Sequence, residues 1–121
     1  MTDDAGDAKR ATLAYARHLL AADGMRRMLL AEHRFSYAQW HIILELFISD
    51  EEQRLTSITD LTFSPVVARS TILKGVADLA AAGLVIRKAD PGDARRIYIS
   101  LEPTFHDRVD ALLMRLMEMF R

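Results

Sequence analysis

The feature that most constrains the fold is a change of hydrophobic period at Gly83. Before it, apolar residues recur at helical spacing. After it, Leu84-Val85-Ile86 and Ile97-Tyr98-Ile99-Ser100-Leu101 read as strands, the second with Ile97, Ile99 and Leu101 on one face. Between them lies Ala89-Asp90-Pro91-Gly92-Asp93-Ala94, dense in turn formers. This is a two-stranded hairpin with a polar tip, set in a chain that is otherwise helical. Only five glycines and three prolines punctuate the 121 residues, so long regular elements should dominate.

Asp7 reads as the N-cap of a first helix from Ala8. Leu13, Ala16 and Leu20 lie along one of its faces, and Gly24 either bends it or divides it before Met25, Met28 and Leu29 resume the period. Ser36 caps a second helix to about Ile48, with Trp40, Ile43, Leu44 and Phe47 as its core stripe. Ile42, Leu46 and Ile48 make its other faces apolar too, which suits a central or interfacial helix. Asp50-Glu51-Glu52 reads as a solvated turn. Thr56 or Ser57 caps a short helix holding Ile58 and Leu61. The next helix holds Ile72, Leu73, Val76 and Leu79 and ends at Gly83 as a C-terminal glycine. Its start is open, either Ser64-Pro65 as N-cap and first residue or a position near Ala68. After the hairpin, Pro103 or Thr104 opens a last helix with Phe105, Val109, Leu112, Leu113, Leu116, Met117 and Phe120 at amphipathic spacing.

The fold class expected is mainly α with a small β-hairpin, a winged helix-turn-helix flanked by N- and C-terminal dimerisation helices. The length suits one domain over residues 1–121. Within it fall N-terminal helices (7–49), helix-turn-helix and wing (56–101), and a C-terminal helix (103–121).

The formal charge is −1, unlike the strongly basic balance of many dedicated nucleic-acid domains. The charge is segregated, however. Residues 41–64 hold five acids against Arg54, whereas residues 65–100 hold six bases against Asp78, Asp90 and Asp93. Around the second half of the helix-turn-helix, Arg69, Ser70 and Thr71 would occupy the first helical turn, with Lys74 one turn on. In a helix-turn-helix that end enters the major groove, where arginine can fork onto guanine and the hydroxyls can serve bases or phosphates. In the hairpin, Arg87-Lys88 and Arg95-Arg96 come together near the tip. Asp90 and Asp93 can answer part of that charge; one arginine held by Asp93 would leave its neighbour for a narrow minor groove.

The run Gly83-Leu84-Val85-Ile86-Arg87, Asp90-Pro91-Gly92-Asp93-Ala94-Arg95-Arg96 and Ile97-Tyr98-Ile99-Ser100-Leu101 resembles the wing of the multiple-antibiotic-resistance regulator (MarR) family. Leu61, Ser70-Thr71-Ile72 and Leu79 resemble its helix-turn-helix. The resemblance covers about Thr56 to Leu101. Where the family continues its strand with threonine and glycine, this chain reads Glu102-Pro103-Thr104. The resemblance implies a homodimeric transcription regulator on pseudo-palindromic double-stranded DNA, with a recognition helix starting near Ala68. It also implies that Asp93 and Arg95 form the wing's acid–arginine pair, beside the basic Arg96. Leu13, Leu20, Leu112, Leu116 and Phe120 are the candidate dimer contacts, with Met114 and Met119 adding apolar surface. His33, Tyr37, Trp40 and His41 form a candidate pocket for a small aromatic effector, although such a cluster also suits a core.

Other classes find little support. The chain has no cysteine, its four histidines lack zinc spacing, and no cofactor or metal is expected. No phosphate-cradling loop, nucleophile elbow or paired-carboxylate motif marks an enzyme. There is no apolar run long enough for a membrane span and no secretory signal, so a cytoplasmic protein is expected. The rival reading is a winged helix retained as a protein-interaction module without DNA binding.

Overall fold

The computed structural model describes residues 4–29 and 33–119. The order is α1 (Asp4–Leu29), α2 (Tyr37–Glu51), α3 (Ile58–Leu61), α4 (Arg69–Ala81), β1 (Val85–Asp90), β2 (Asp93–Leu101) and α5 (Pro103–Met119). The chain divides into two compact units, one of residues 1–34 and 110–121 and the other of residues 35–109.

In the first unit α1 is continuous through Gly24. Asp7 is therefore not the N-cap. It lies in the first turn, 3.8 Å from Arg10, where a carboxylate complements the helix dipole. The small residues before it offer nothing to stop the helix. Asp23 holds Arg26 at 2.7 Å and Arg27 at 3.3 Å. A methyl group at Gly24 would meet nothing within 4 Å. Gly24→Ala is accordingly expected to stabilise α1 by about 0.5–1 kcal/mol, seen as a raised unfolding temperature; a lowered one would mean that this helix face is covered in the assembled protein.

The second unit is built on α2. Ser36 starts it with a reciprocal cap: its hydroxyl accepts from Gln39 N at 3.1 Å, and Gln39 Oε1 accepts from Ser36 N at 2.8 Å. The buried face is Ala38, Ile42, Ile43, Leu46 and Ser49, which corrects the stripe expected through Trp40, Leu44 and Phe47. Those three are half-buried. On a helix apolar nearly all round, periodicity does not choose the face; packing does. Here α4 chooses it through Gly75, where an added Cβ would lie 2.9 Å from Ile42 Cδ1.

Ser57 caps α3 in a second reciprocal pair with Asp60. Gly83 ends α4 with φ 76°, a conformation open to glycine, and Leu84 and Val85 then turn into the core. The strands pair antiparallel from Val85↔Leu101 to Ala89↔Ile97, with an irregularity at Asp90. The tip is only Pro91-Gly92, shorter than the expected loop, because Ala89, Asp90, Asp93 and Ala94 extend the strands. Ile99 and Leu101 are buried but Ile97 is 37% exposed, so the outer half of the hairpin projects beyond the core.

The last turn of α2 is not a solvated acidic loop. Asp50 Oδ2 accepts from Leu101 N at 3.0 Å across 51 residues, and burial pushes its carboxyl above the usual value. Glu51 lies 3.2 Å from His106 Nε2, whose ring stacks on Phe47 at 4.8 Å. Glu102, the departure from the family pattern, caps α5: its carboxylate accepts from Thr104 N at 3.0 Å and Phe105 N at 2.8 Å. Phe105, Val109 and Leu112 are fully buried.

Candidate functional site

The link into α4 resolves its starting point. Ser64 Oγ accepts from Val66 N at 3.2 Å and Val67 N at 3.3 Å, so it caps a turn and not a helix. Val67 is buried and anchors the turn, Ala68 takes the N-cap position, and Arg69 is the first helical residue. Unlike Ser36 and Ser57, Ala68 makes no side-chain bond to the helix it opens. The first-turn amides of α4 therefore lack a side-chain cap, at an end that carries partial positive charge.

Around this end Arg69, Ser70 and Thr71 are exposed, while Ile72, Gly75, Val76 and Leu79 are buried on the opposite side. Lys74 is exposed but tied to Asp78 at 3.2 Å one turn on. Leu73 is 39% exposed: the buried arc passes through Ile72 and Val76 and leaves it at the edge.

The hairpin carries the second group of bases. Asp93 Oδ1 accepts from Arg95 N at 3.0 Å and lies 3.4 Å from Arg95 Nε, the acid–arginine pair implied by the resemblance. The Arg95 side chain is nevertheless 94% exposed. Arg87 and Lys88 are exposed and make no ion pair among the described residues. Arg96 behaves differently: its guanidinium lies 5.4 Å from the Tyr98 ring centroid and 3.9 Å from Asp60. Tyr98 OH donates to Asp90 Oδ2 at 2.9 Å, and Asp90 Oδ1 accepts from Gly92 N at 2.8 Å. These bonds, the Gly92 one foremost, hold the Asp90 carboxyl below its usual value and fix the tip. The sequence offers Asp90 as an answer to charge near the tip but gives Asp60 and Tyr98 no such role. The one local signal was the Ser57–Asp60 spacing of a capping box.

His33 belongs to the first unit and Tyr37, Trp40 and His41 to the second. Tyr37 is 72% exposed. His41 lines a cleft of about 310 Å³ with Glu45, Asp60, Leu55, Phe63 and other residues of α2, α3 and their flanking loops. A second cleft, of about 240 Å³, lies between the Arg54–Thr56 link and the hairpin. Among the described residues no three potential ligands gather as a metal site, and no helix is long and apolar enough to cross a membrane.

No protein-family model and no curated protein sequence matches the chain. Solved structures do. A point mutant of Staphylococcus aureus MepR bound to an oligodeoxyribonucleotide is similar with a TM-score of 0.77 and 20% identity, over 93% of this chain and 77% of that one. The fold is that of MepR, a transcription regulator. NadR in complex with 4-hydroxyphenylacetate gives a TM-score of 0.63 at 18% identity, over 99% of this chain and 77% of that one. For a second MepR mutant, from a multidrug-resistant clinical isolate of S. aureus, the values are 0.58 and 21%, with 70% of this chain aligned and 60% of that one spanned. The winged helix-turn-helix, with α3 and α4 as its helical pair and β1–β2 as its wing, is thereby established as the fold.

Proposed function

We propose that this chain is a transcription regulator that binds double-stranded DNA sequence-specifically as a homodimer, with α4 in the major groove and the β1–β2 wing in the adjacent minor groove. One observation carries the reading: Arg69, Ser70 and Thr71 stand exposed around a helix start whose amides no side chain caps. A phosphate oxygen suits those amides, and Arg69 suits the O6 and N7 atoms of a guanine. Lys74 exchanges Asp78 for a phosphate in this reading. Arg87, Arg95 and Arg96 serve the backbone and minor groove, and Asp93 orients Arg95. MepR has been solved on DNA in the same fold, which supports the assignment.

For the homodimer, Leu13 and Leu20 are apolar and more than half exposed on α1, and Leu116 is half-buried on α5. Leu112 is withdrawn from the dimer contacts, because it is fully buried within the chain; Met114 and Met117, each more than half exposed, take its place. Phe120 lies outside the described residues. A small aromatic effector and a cytoplasmic setting complete the reading, the former in keeping with NadR's complex with 4-hydroxyphenylacetate. The reading is of a binding protein and not an enzyme.

The test is retention of a randomised duplex pool at low and moderate salt, followed by sequencing. An enriched palindrome with half-sites about one helical turn apart is expected. Retention without enrichment would leave a backbone binder. No retention at low salt, with one stoichiometric protein captured instead, would establish the interaction-module reading.

A further inference from the structure

Adjacent residues of a strand point to opposite faces, so Arg95 and Arg96 have different surroundings. Arg95 reaches out and, among the described residues, is held by Asp93 of its own strand. Arg96 is drawn back across the hairpin toward α3. Its Nη2 lies 3.9 Å from Asp60 Oδ2, the same oxygen that accepts from Ser57 N at 2.9 Å. Tyr98 supplies the ring beneath the guanidinium, and its hydroxyl is fixed by Asp90. The backbone anchors this arrangement: Ser57 forms an isolated bridge with Tyr98, and Ile99 N donates to Thr56 O at 2.9 Å. Asp60 is thus tied to the root of the hairpin, and the Ser57 bond keeps its carboxyl below the usual value and charged.

A carboxylate beside an arginine presents the charge and geometry of a phosphate. We propose that Asp60 is an internal stand-in for a DNA phosphate: it holds Arg96 over Tyr98 in the free protein and releases it to the duplex on binding. Asp60 and Tyr98 are then positioning residues that restrain the wing's grip, and the inference rests on the DNA-binding reading above. The pair can exchange because it is open to water, with 50% of the Arg96 side chain and 46% of the Asp60 side chain exposed. An ion pair so exposed is weak, and a backbone phosphate can displace it. The cost of that displacement lowers affinity on every sequence alike, so Asp60 sets the strength of binding and not its preference.

Asp60→Asn tests this directly. The amide oxygen can still accept from Ser57 N, which preserves the α3 cap while removing the charge. On a labelled random-sequence duplex, the full-length variant is expected to bind about two- to fivefold tighter than wild type. The salt slope should stay close to that of wild type, because Arg96 meets the same phosphate in both. The gain should vanish in Asp60→Asn/Arg96→Ala. Unchanged affinity in Asp60→Asn, or a gain that survives loss of Arg96, would overturn the proposal. The Arg96 Nε–H resonance gives a reading without DNA: it should move in Asp60→Asn, and an unmoved resonance also overturns the proposal. If wild type and every variant fail to retain duplex at low salt, the DNA-binding reading fails instead, and the resonance alone still judges the Asp60–Arg96 contact.

Discussion

Ile42→Ala is expected to cost about 2–5 kcal/mol of stability, a large share of the roughly 5–15 kcal/mol that holds an ordinary domain together. Ile42 is fully buried, and its Cδ1 atom fills the space left by the missing side chain of Gly75 on α4. Truncation therefore leaves a hole between α2 and the helix assigned to the major groove. Gly75→Val attacks the same contact from the other side, since its Cβ alone would stand 2.9 Å from Ile42 Cδ1. Overpacking there should cost about 1–3 kcal/mol. Because the two substitutions share one volume, the double variant should recover part of the loss, with a coupling of about 0.5–3 kcal/mol. Urea unfolding reads all three from shifted midpoints at constant slope. Simple additivity would mean that Ile42 and Gly75 do not meet.

This contact also shows where reading the sequence stops. The hairpin was legible because its signals are local: turn formers at Asp90-Pro91-Gly92-Asp93, alternation from Ile97 to Leu101, and a glycine where α4 must end. The cap at Ser36 was legible for the same reason, as a hydroxyl residue directly before a helical period, and Ser57 was legible as one of two candidates beside Thr56. The face of α2 was not, because an all-round apolar helix gives no moment to choose by, and Gly75 decides the matter 33 positions after Ile42. Ser64-Pro65 misleads as a helix start because serine accepts backbone N–H groups in a turn with the same bonds it uses as a cap. Arg69 and Lys74 on α4 and Arg87, Lys88 and Arg95 on the hairpin are exposed, whereas Arg96 lies beside Asp60 and Tyr98. Asp50 and Asp60 act on partners far along the chain, Leu101 and Arg96, which no local pattern joins to them.

At the uncapped start of α4 stability and binding should pull in opposite directions. Ala68 already has the extended backbone of an N-cap residue, at φ −63° and ψ 146°, but no side chain able to accept. Ala68→Asp should therefore add about 1 kcal/mol of stability by capping the Ser70 or Thr71 amide and by complementing the helix dipole. The same carboxylate would occupy the donors assigned to a DNA phosphate and place a negative charge against the duplex, so affinity should drop about tenfold or more. Ala68→Ser separates the two causes, since it caps without charge and should weaken binding less. Arg69→Ala, one residue on, should leave stability within about 0.5 kcal/mol. On the selected operator it should lose about 1–3 kcal/mol of binding and relax the preference at one base pair. Unfolding temperature and operator titration read the whole set. An Ala68→Asp protein that is more stable and binds DNA as wild type does would remove the start of α4 from the interface, and Arg69 with it. A more stable protein with weaker binding would explain why alanine occupies this cap while serine occupies the caps of α2 and α3: the amides that a cap would satisfy are kept for the phosphate.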